Sequence, residues 1–209
     1  MNRLSKILLG VFVLFGLPWM GLAVYPYLTF AELKQHTDPN TKEVAPPGVP
    51  GAARQGYRVY AANGCVYCHS QFIRDQGEGG DIDREWGKRR TVTRDYILDD
   101  QVFLGVSRFG PDLTNVGVRQ KDAQWYYRYL YDARQFNPET VMPPYRYLFR
   151  DQPIAGQPSL NALKLEGAAA PRPGHEIVPT PEAEALVAYL LSLKRDYALP
   201  EAPVPEPKE

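Results

Sequence analysis

Cys65-Val66-Tyr67-Cys68-His69 brings two thiols and an imidazole together within five residues. The spacing has a chemical reading. Two thiols three residues apart on a helical turn reach both vinyl groups along one porphyrin edge, and the next residue turns under the ring to offer its imidazole to iron. Cys-x-x-Cys-His is the attachment pattern of a covalently bound c-type haem. The chain has only two Cys and three His. Random placement of those residues gives this arrangement roughly one time in seven thousand, so the motif is read as chemistry rather than coincidence. A thioredoxin-like dithiol belongs to a βαβ context, whereas the residues before this motif read as a helix. A structural zinc site needs four ligands, and no second Cys pair supplies them.

His69 would be the proximal iron ligand, and scarcity narrows the choice for the other axial position. Met20 lies in the apolar N-terminal run, which leaves Met142 as the methionine outside that run and the initiator. Met142 sits in Thr140-Val141-Met142-Pro143-Pro144-Tyr145, where two prolines stiffen the loop and hold the thioether in place. Its bland alternative is core filler. His175 is a second candidate, in an irregular segment, and His36 lies beside the membrane. Met/His ligation fills both axial positions and raises the reduction potential, which suits electron transfer. Gly110-Pro111-Asp112-Leu113 is the second feature. A ligating His donates its other ring N–H to a partner, and the Pro111 carbonyl would serve. Taken alone, Gly-Pro-Asp is also simply a turn.

These groups need elements to carry them. Arg3 and Lys6 precede an uncharged run from Ile7 to Ala31, mostly apolar to Leu28. About twenty residues of helix cross a bilayer core, so the run is expected to span it once, with Pro18 kinking the helix and Pro26 ending it. A cleaved signal peptide is the alternative, since Gly21-Leu22-Ala23 loosely fits a small-x-small site. The basic end should stay in the cytoplasm, with everything after the span outside. Residues 32–50 are polar and Pro-rich and read as an extended tether. From Ala53 to Asn63 the pattern is helical, with Gly56, Tyr57, Tyr60 and Ala61 on one face. A long loop region is expected over 70–120. Asp122 looks like a helix cap, with Trp125, Tyr129 and Leu130 as core candidates. Residues 150–180 look irregular. Thr180-Pro181-Glu182 then starts a helix that buries Leu186, Tyr189, Leu190 and Leu193. The haem domain is assigned to 51–196, and 197–209 is read as a disordered tail.

The composition fits a loop-rich domain with aromatic packing: 20 Pro and 14 Tyr in 209 residues. Lys plus Arg and Asp plus Glu both count 24, so the net charge is zero and nothing favours nucleic acid as a partner. The cluster Arg84, Lys88, Arg89, Arg90 and Arg94 is either a docking face for an acidic donor or a solvated surface.

With these residues in view, the chain resembles a known family. Gly56-x3-Tyr60-x3-Gly64 before the Cys pair, Gly110-Pro111-x-Leu113, the Met-Pro loop and the final helix 186–191 resemble class I cytochrome c. More narrowly, three segments are similar to the monohaem subunit of cbb(3)-type cytochrome c oxidases. They are Gly64-Cys65-x-x-Cys68-His69-Ser70-Gln71, Arg108-x-Gly110-Pro111-Asp112-Leu113, and Tyr129-Leu130-Tyr131-Asp132-Ala133-Arg134 leading to Met142-Pro143-Pro144-Tyr145. The likeness covers roughly residues 5–150 and the final helix, and the segment 150–180 departs from it by its length.

The resemblance implies an all-α cytochrome c domain on one transmembrane helix, in the bacterial inner membrane and facing the periplasm. It implies one haem c, with Cys65 and Cys68 as thioether sites, His69 and Met142 as axial ligands, and the Pro111 carbonyl as acceptor for the His69 ring. Its partners would be the catalytic haem–copper oxidase subunit, towards which it passes electrons, and a further cytochrome c subunit or soluble cytochrome c donor. The cytochrome subunit of a membrane nitric oxide reductase has a similar architecture. A haem-based gas sensor and an anchored dithiol oxidoreductase are rivals from other classes.

Overall fold

The computed structural model describes residues 2–204. Its first 28-residue helical stretch, Arg3–Phe30, is long and apolar enough to cross a membrane, and none of its most apolar stretch is buried. Helix α1 (Arg3–Trp19) starts at Asn2, whose side chain accepts from the Ser5 N–H at 2.8 Å. The expectation that Pro26 ends the helix is corrected: it sits in the first turn of α2 (Tyr25–Phe30). A π-turn at Met20–Val24 lies between the two, in which the Tyr25 N–H bonds to the Met20 carbonyl. Widening the turn just before a proline is how a helix absorbs a residue without an N–H and with a ring that crowds the preceding turn.

Residues 32–50 are not a free extended tether. Strands β1 (His36–Thr37) and β2 (Val44–Ala45) pair antiparallel around a turn in which the Asp38 carboxylate accepts the N–H groups of Asn40 and Thr41 at 2.7 and 3.0 Å. Ala45 is buried, and Arg94 donates to the Lys34 carbonyl, which pins this segment to the domain.

Two helices carry the core. Helix α3 (Gly51–Ala62) buries Ala53, Gly56 and Tyr60, while Ala61, expected on that face, is exposed. It crosses α6 (Pro181–Ser192) at Gly56. A Cβ on Gly56 would stand 1.8 Å from the Ala185 carbonyl oxygen, so the crossing requires glycine. The labels α4 (Val116–Arg119) and α5 (Ala123–Tyr131) belong to the two helices between them. Asp122 caps α5 by accepting from Gln124 N–H at 2.9 Å, and Thr180 caps α6 by accepting from Ala183 N–H at 3.3 Å. Leu186, Tyr189, Leu190 and Leu193 are all buried on α6 and after it.

The all-α expectation is corrected by a second sheet. Strands β3 (Phe149–Pro153) and β4 (His175–Pro179) pair antiparallel within the stretch read as irregular. The ladder continues into the helix start, where Thr180 N–H bonds to the Leu148 carbonyl at 2.9 Å. Prolines at both strand ends and a 21-residue connection hid the pairing from local pattern reading. Part of the expected tail is also ordered: Leu199 and Ala202 are buried. Residues 205–209 lie outside the described residues.

The loops from 70 to 120 carry little secondary structure and are held largely by buried ion pairs. Arg89 and Asp95 meet at 2.8 Å with both side chains buried, and Arg89 also donates to the Tyr197 carbonyl at 2.7 Å. Arg94 reaches Glu201 at 2.6 Å. Two members of the basic cluster, Arg89 and Arg94, are therefore committed to fastening the C-terminal segment, while Arg84, Lys88 and Arg90 are exposed. Asp81, fully buried, meets Arg74 at 2.8 Å and Arg108 at 2.5 Å. Burial alone would raise the Asp81 carboxyl, but the hydrogen bonds from Arg74 and Arg108 win and hold it well below the usual carboxylate range. A folded pKa below the unfolded one means stability that is present above the ordinary carboxylate range and lost as pH falls through and below it. We expect urea stability to fall as pH drops from about 5 towards 2, and Asp81→Asn to flatten that pH dependence while lowering stability at neutral pH. An unchanged acid slope in Asp81→Asn would contradict the assignment.

Candidate functional site

Two residues beyond helix α3 stands Gly64, whose φ of +67° turns the chain sharply into a 3-10 turn over Cys65–Tyr67. Such a positive φ is what glycine supplies at low cost. The N–H groups of Cys68 and His69 both bond to the Cys65 carbonyl, at 3.2 and 3.0 Å. One tight turn therefore carries both thiols, with His69 leaving it. Cys65 is half-buried and lines a cleft, while Cys68 is exposed.

The His69 ring is fixed from the opposite side by the 110–114 segment. Its Nδ1 lies 2.8 Å from the Pro111 carbonyl oxygen. A carbonyl can only accept, so this bond requires the proton on Nδ1 and leaves the Nε2 lone pair free. Burial lowers the His69 pKa, against smaller upward effects from the Pro111 bond and the Asp112 charge, and this favours the neutral ring a metal needs. Gly110 lies against the imidazole: a Cβ there would meet ring atoms at 2.2–2.8 Å. The Gly110 N–H bonds to the Cys68 carbonyl at 3.0 Å, and the Leu113 N–H to the Ser70 carbonyl at 2.8 Å.

The cleft under the ring has a volume of about 300 Å³ and mostly apolar walls. Tyr60 comes from α3, and Leu186 and Leu190 from α6. Helix α5 contributes Trp125, Tyr129 and Leu130, with Trp125 stacked on Tyr129 at 4.7 Å between ring centroids. Met142 and Tyr145 complete the wall from the loop after α5. That loop is tied back by the Tyr145 N–H to the Leu130 carbonyl at 2.8 Å, and Met142 N–H bonds to Thr140 Oγ1 at 3.2 Å. The structure thus brings Cys65, His69, Pro111 and Met142 to one cleft, with Cys68 on the same turn.

The other histidines are not among the residues lining it. His175 lies on β4, with Nδ1 2.6 Å from Asp151 Oδ1, and His36 lies in β1.

The donor set fits a flat, largely apolar group with one nitrogen and one thioether available to its metal. Among the described residues no group of three or more His, Cys, Asp or Glu is assembled that would hold a bare metal ion. Burial pushes the Cys65 thiol up to about 11, the reverse of what a dithiol oxidoreductase needs from its nucleophile.

Of the three core candidates on α5, Leu130 is buried, while Trp125 and Tyr129 are half-buried and line the cleft. Their i, i+4 spacing on α5 is the signal that they share a face. Ser70 and Asp112 stand in the sequence only as members of their motifs, with no sign that they fasten the two segments that meet at His69. Ser70 Oγ donates to Asp112 Oδ2 at 2.6 Å.

Residues 40–170 match the family described as cytochrome C oxidase, mono-heme subunit/FixO. No curated protein matches the chain.

Gly110→Ala tests the close approach at the ring. We expect a loss of about 2 kcal/mol of stability from overpacking, together with displacement of the His69 ring and weakening of its bond to Pro111. Chemical denaturation measures the first, and the His69 ring N–H signal in an NMR spectrum the second. Wild-type stability with an unshifted signal would contradict the contact.

Proposed function

The chain belongs to the mono-haem FixO family of cytochrome c oxidase subunits, and from that premise we propose that it carries single electrons on one covalently bound haem to the oxidase's catalytic subunit. The observation that supports this reading best is the convergence of Cys65, His69 and Met142 on one apolar cleft, with the His69 Nε2 left free by the Pro111 bond. In this reading Cys65 and Cys68 would hold the haem through thioether bonds, and His69 and Met142 would hold its iron. Haem supplies the one-electron Fe(II)/Fe(III) couple.

The protein's own residues orient, exclude water and tune. Pro111 fixes the tautomer and the plane of the His69 ring and makes the ligand more basic. Trp125, Tyr129, Leu186 and Leu190 keep the cleft walls apolar, which limits solvent access and raises the potential of the site. Pro143 and Pro144 stiffen the loop that presents Met142. The helix Arg3–Phe30 is the membrane anchor, with the haem domain in the periplasm, where it receives electrons from another cytochrome c. The FixO match favours an oxidase over a nitric oxide reductase, and a Met142 thioether held on the iron would disfavour gas sensing.

Met142→Ala tests the ligand set. The variant should keep covalent haem, because the Cys pair is untouched. It should lose the weak absorption of Fe(III)–sulfur ligation, gain carbon monoxide binding in the reduced state, and fall in reduction potential. His175→Ala should change none of these. If His175→Ala loses them while Met142→Ala keeps them, His175 is the ligand and the assignment of the 140–145 loop fails.

A further inference from the structure

Two segments distant in sequence, 68–72 and 110–114, are bonded to each other at successive positions around the His69 ring. Gly110 N–H reaches the Cys68 carbonyl, the His69 ring reaches the Pro111 carbonyl, and Leu113 N–H reaches the Ser70 carbonyl. At the centre of this clasp is Asp112, whose residue exposure is 0%. Its Oδ2 accepts from Ser70 Oγ at 2.6 Å and from Phe72 N–H at 2.8 Å, and its Oδ1 accepts from Thr114 N–H at 2.8 Å. All three partners donate, the arrangement a carboxylate needs once it has left water. The peptide carrying the Pro111 carbonyl is therefore held at one end by Gly110 and at the other by a side chain anchored three times.

We infer that Asp112 is a positioning residue for the His69 imidazole and that its buried negative charge lowers the reduction potential of the site. The inference rests on the proposed haem ligation by His69. A fixed anion in a low-dielectric interior stabilises the more positive state of a nearby metal, here Fe(III) over Fe(II). Two cations stand near it. Arg108 stands 4.0 Å from Asp112 but makes its shorter ion pair, at 2.5 Å, with Asp81. Arg119 donates to the Asp112 backbone carbonyl at 2.5 Å rather than to its carboxylate. The contacts of Asp112 go to residues that follow His69 and flank Pro111, which distinguishes it from the Asp81 and Asp95 carboxylates that fasten loops elsewhere.

The test is the reduction potential of the purified full-length holoprotein in detergent, followed by its visible spectrum. Asp112→Asn keeps the shape and removes the charge, so the potential should rise. Ser70→Ala keeps the charge and removes one hydrogen bond that disperses it, so the potential should fall. Opposite shifts support the inference, because loosening the clasp alone would move both variants the same way. A shift of the same sign in both, or no shift in Asp112→Asn with a wild-type spectrum, overturns it and leaves the ligand assignment standing. If Asp112→Asn yields no holoprotein, Ser70→Ala decides alone: a fall supports the inference, and a rise or no change overturns it. A wild-type chain without covalent haem would remove the proposed function, and this inference with it.

Discussion

The bond between His69 Nδ1 and the Pro111 carbonyl, 2.8 Å long, ties the chemistry to the fold. It sets which ring nitrogen keeps its lone pair, and so which face of the imidazole can bind a metal. The partners are 42 residues apart, and much of the domain between and around them serves to bring them together. Gly64 turns the Cys pair and His69 out of α3, and Gly110 lets the opposite segment lie flat on the ring. Asp112 and Ser70 close the clasp. Loss of any one of these relaxes an orientation and not merely a contact.

The loops that make this possible have little secondary structure, and the chain holds them with charge. Arg89–Asp95, Arg74–Asp81–Arg108 and Arg195–Asp99 are ion pairs in which each carboxylate is mostly or fully buried. Such pairs are a weak source of net stability against apolar packing, yet breaking one by removing a single partner costs about 3–5 kcal/mol. The consequence is specificity of loop position. The α3–α6 crossing, with Gly56 against the Ala185 carbonyl and Tyr60 at 5.3 Å from Tyr189, supplies the rigid frame. Gln71, two residues after His69, joins that frame through its amide to Tyr189 Oη at 2.9 Å. The site is thereby coupled to the helix pair directly.

What was legible in the sequence was local. The Cys-x-x-Cys-His spacing, the caps at Asp122 and Thr180, and the apolar spacing of α6 all act within a few residues, and pattern reading sees them. What was missed depends on pairings distant in sequence. Strands β3 and β4 close across a long connection, and Arg195 finds Asp99 at a separation of 96 residues. The residues after Asp196 looked Pro- and Glu-rich and free, yet Glu201 answers Arg94 and Leu199 is buried. The tether hid an Asx turn at Asp38-Pro39-Asn40 that a closer reading of turn chemistry would have found. At the site, the candidate haem ligands were readable because Cys, His and Met are scarce. Asp112 was not, because one aspartate in a turn looks like any other until Ser70 is placed beside it.

The proposed electron transfer depends on a haem held by the Cys65–Cys68 turn, and the mass of the denatured full-length chain tests that most directly. Purified from a cell with haem-attachment machinery, the chain should carry the added mass of one haem after denaturation, and the modified peptide should contain Cys65 through His69. A denatured chain at its unmodified mass, with both thiols free to alkylate, would contradict the account.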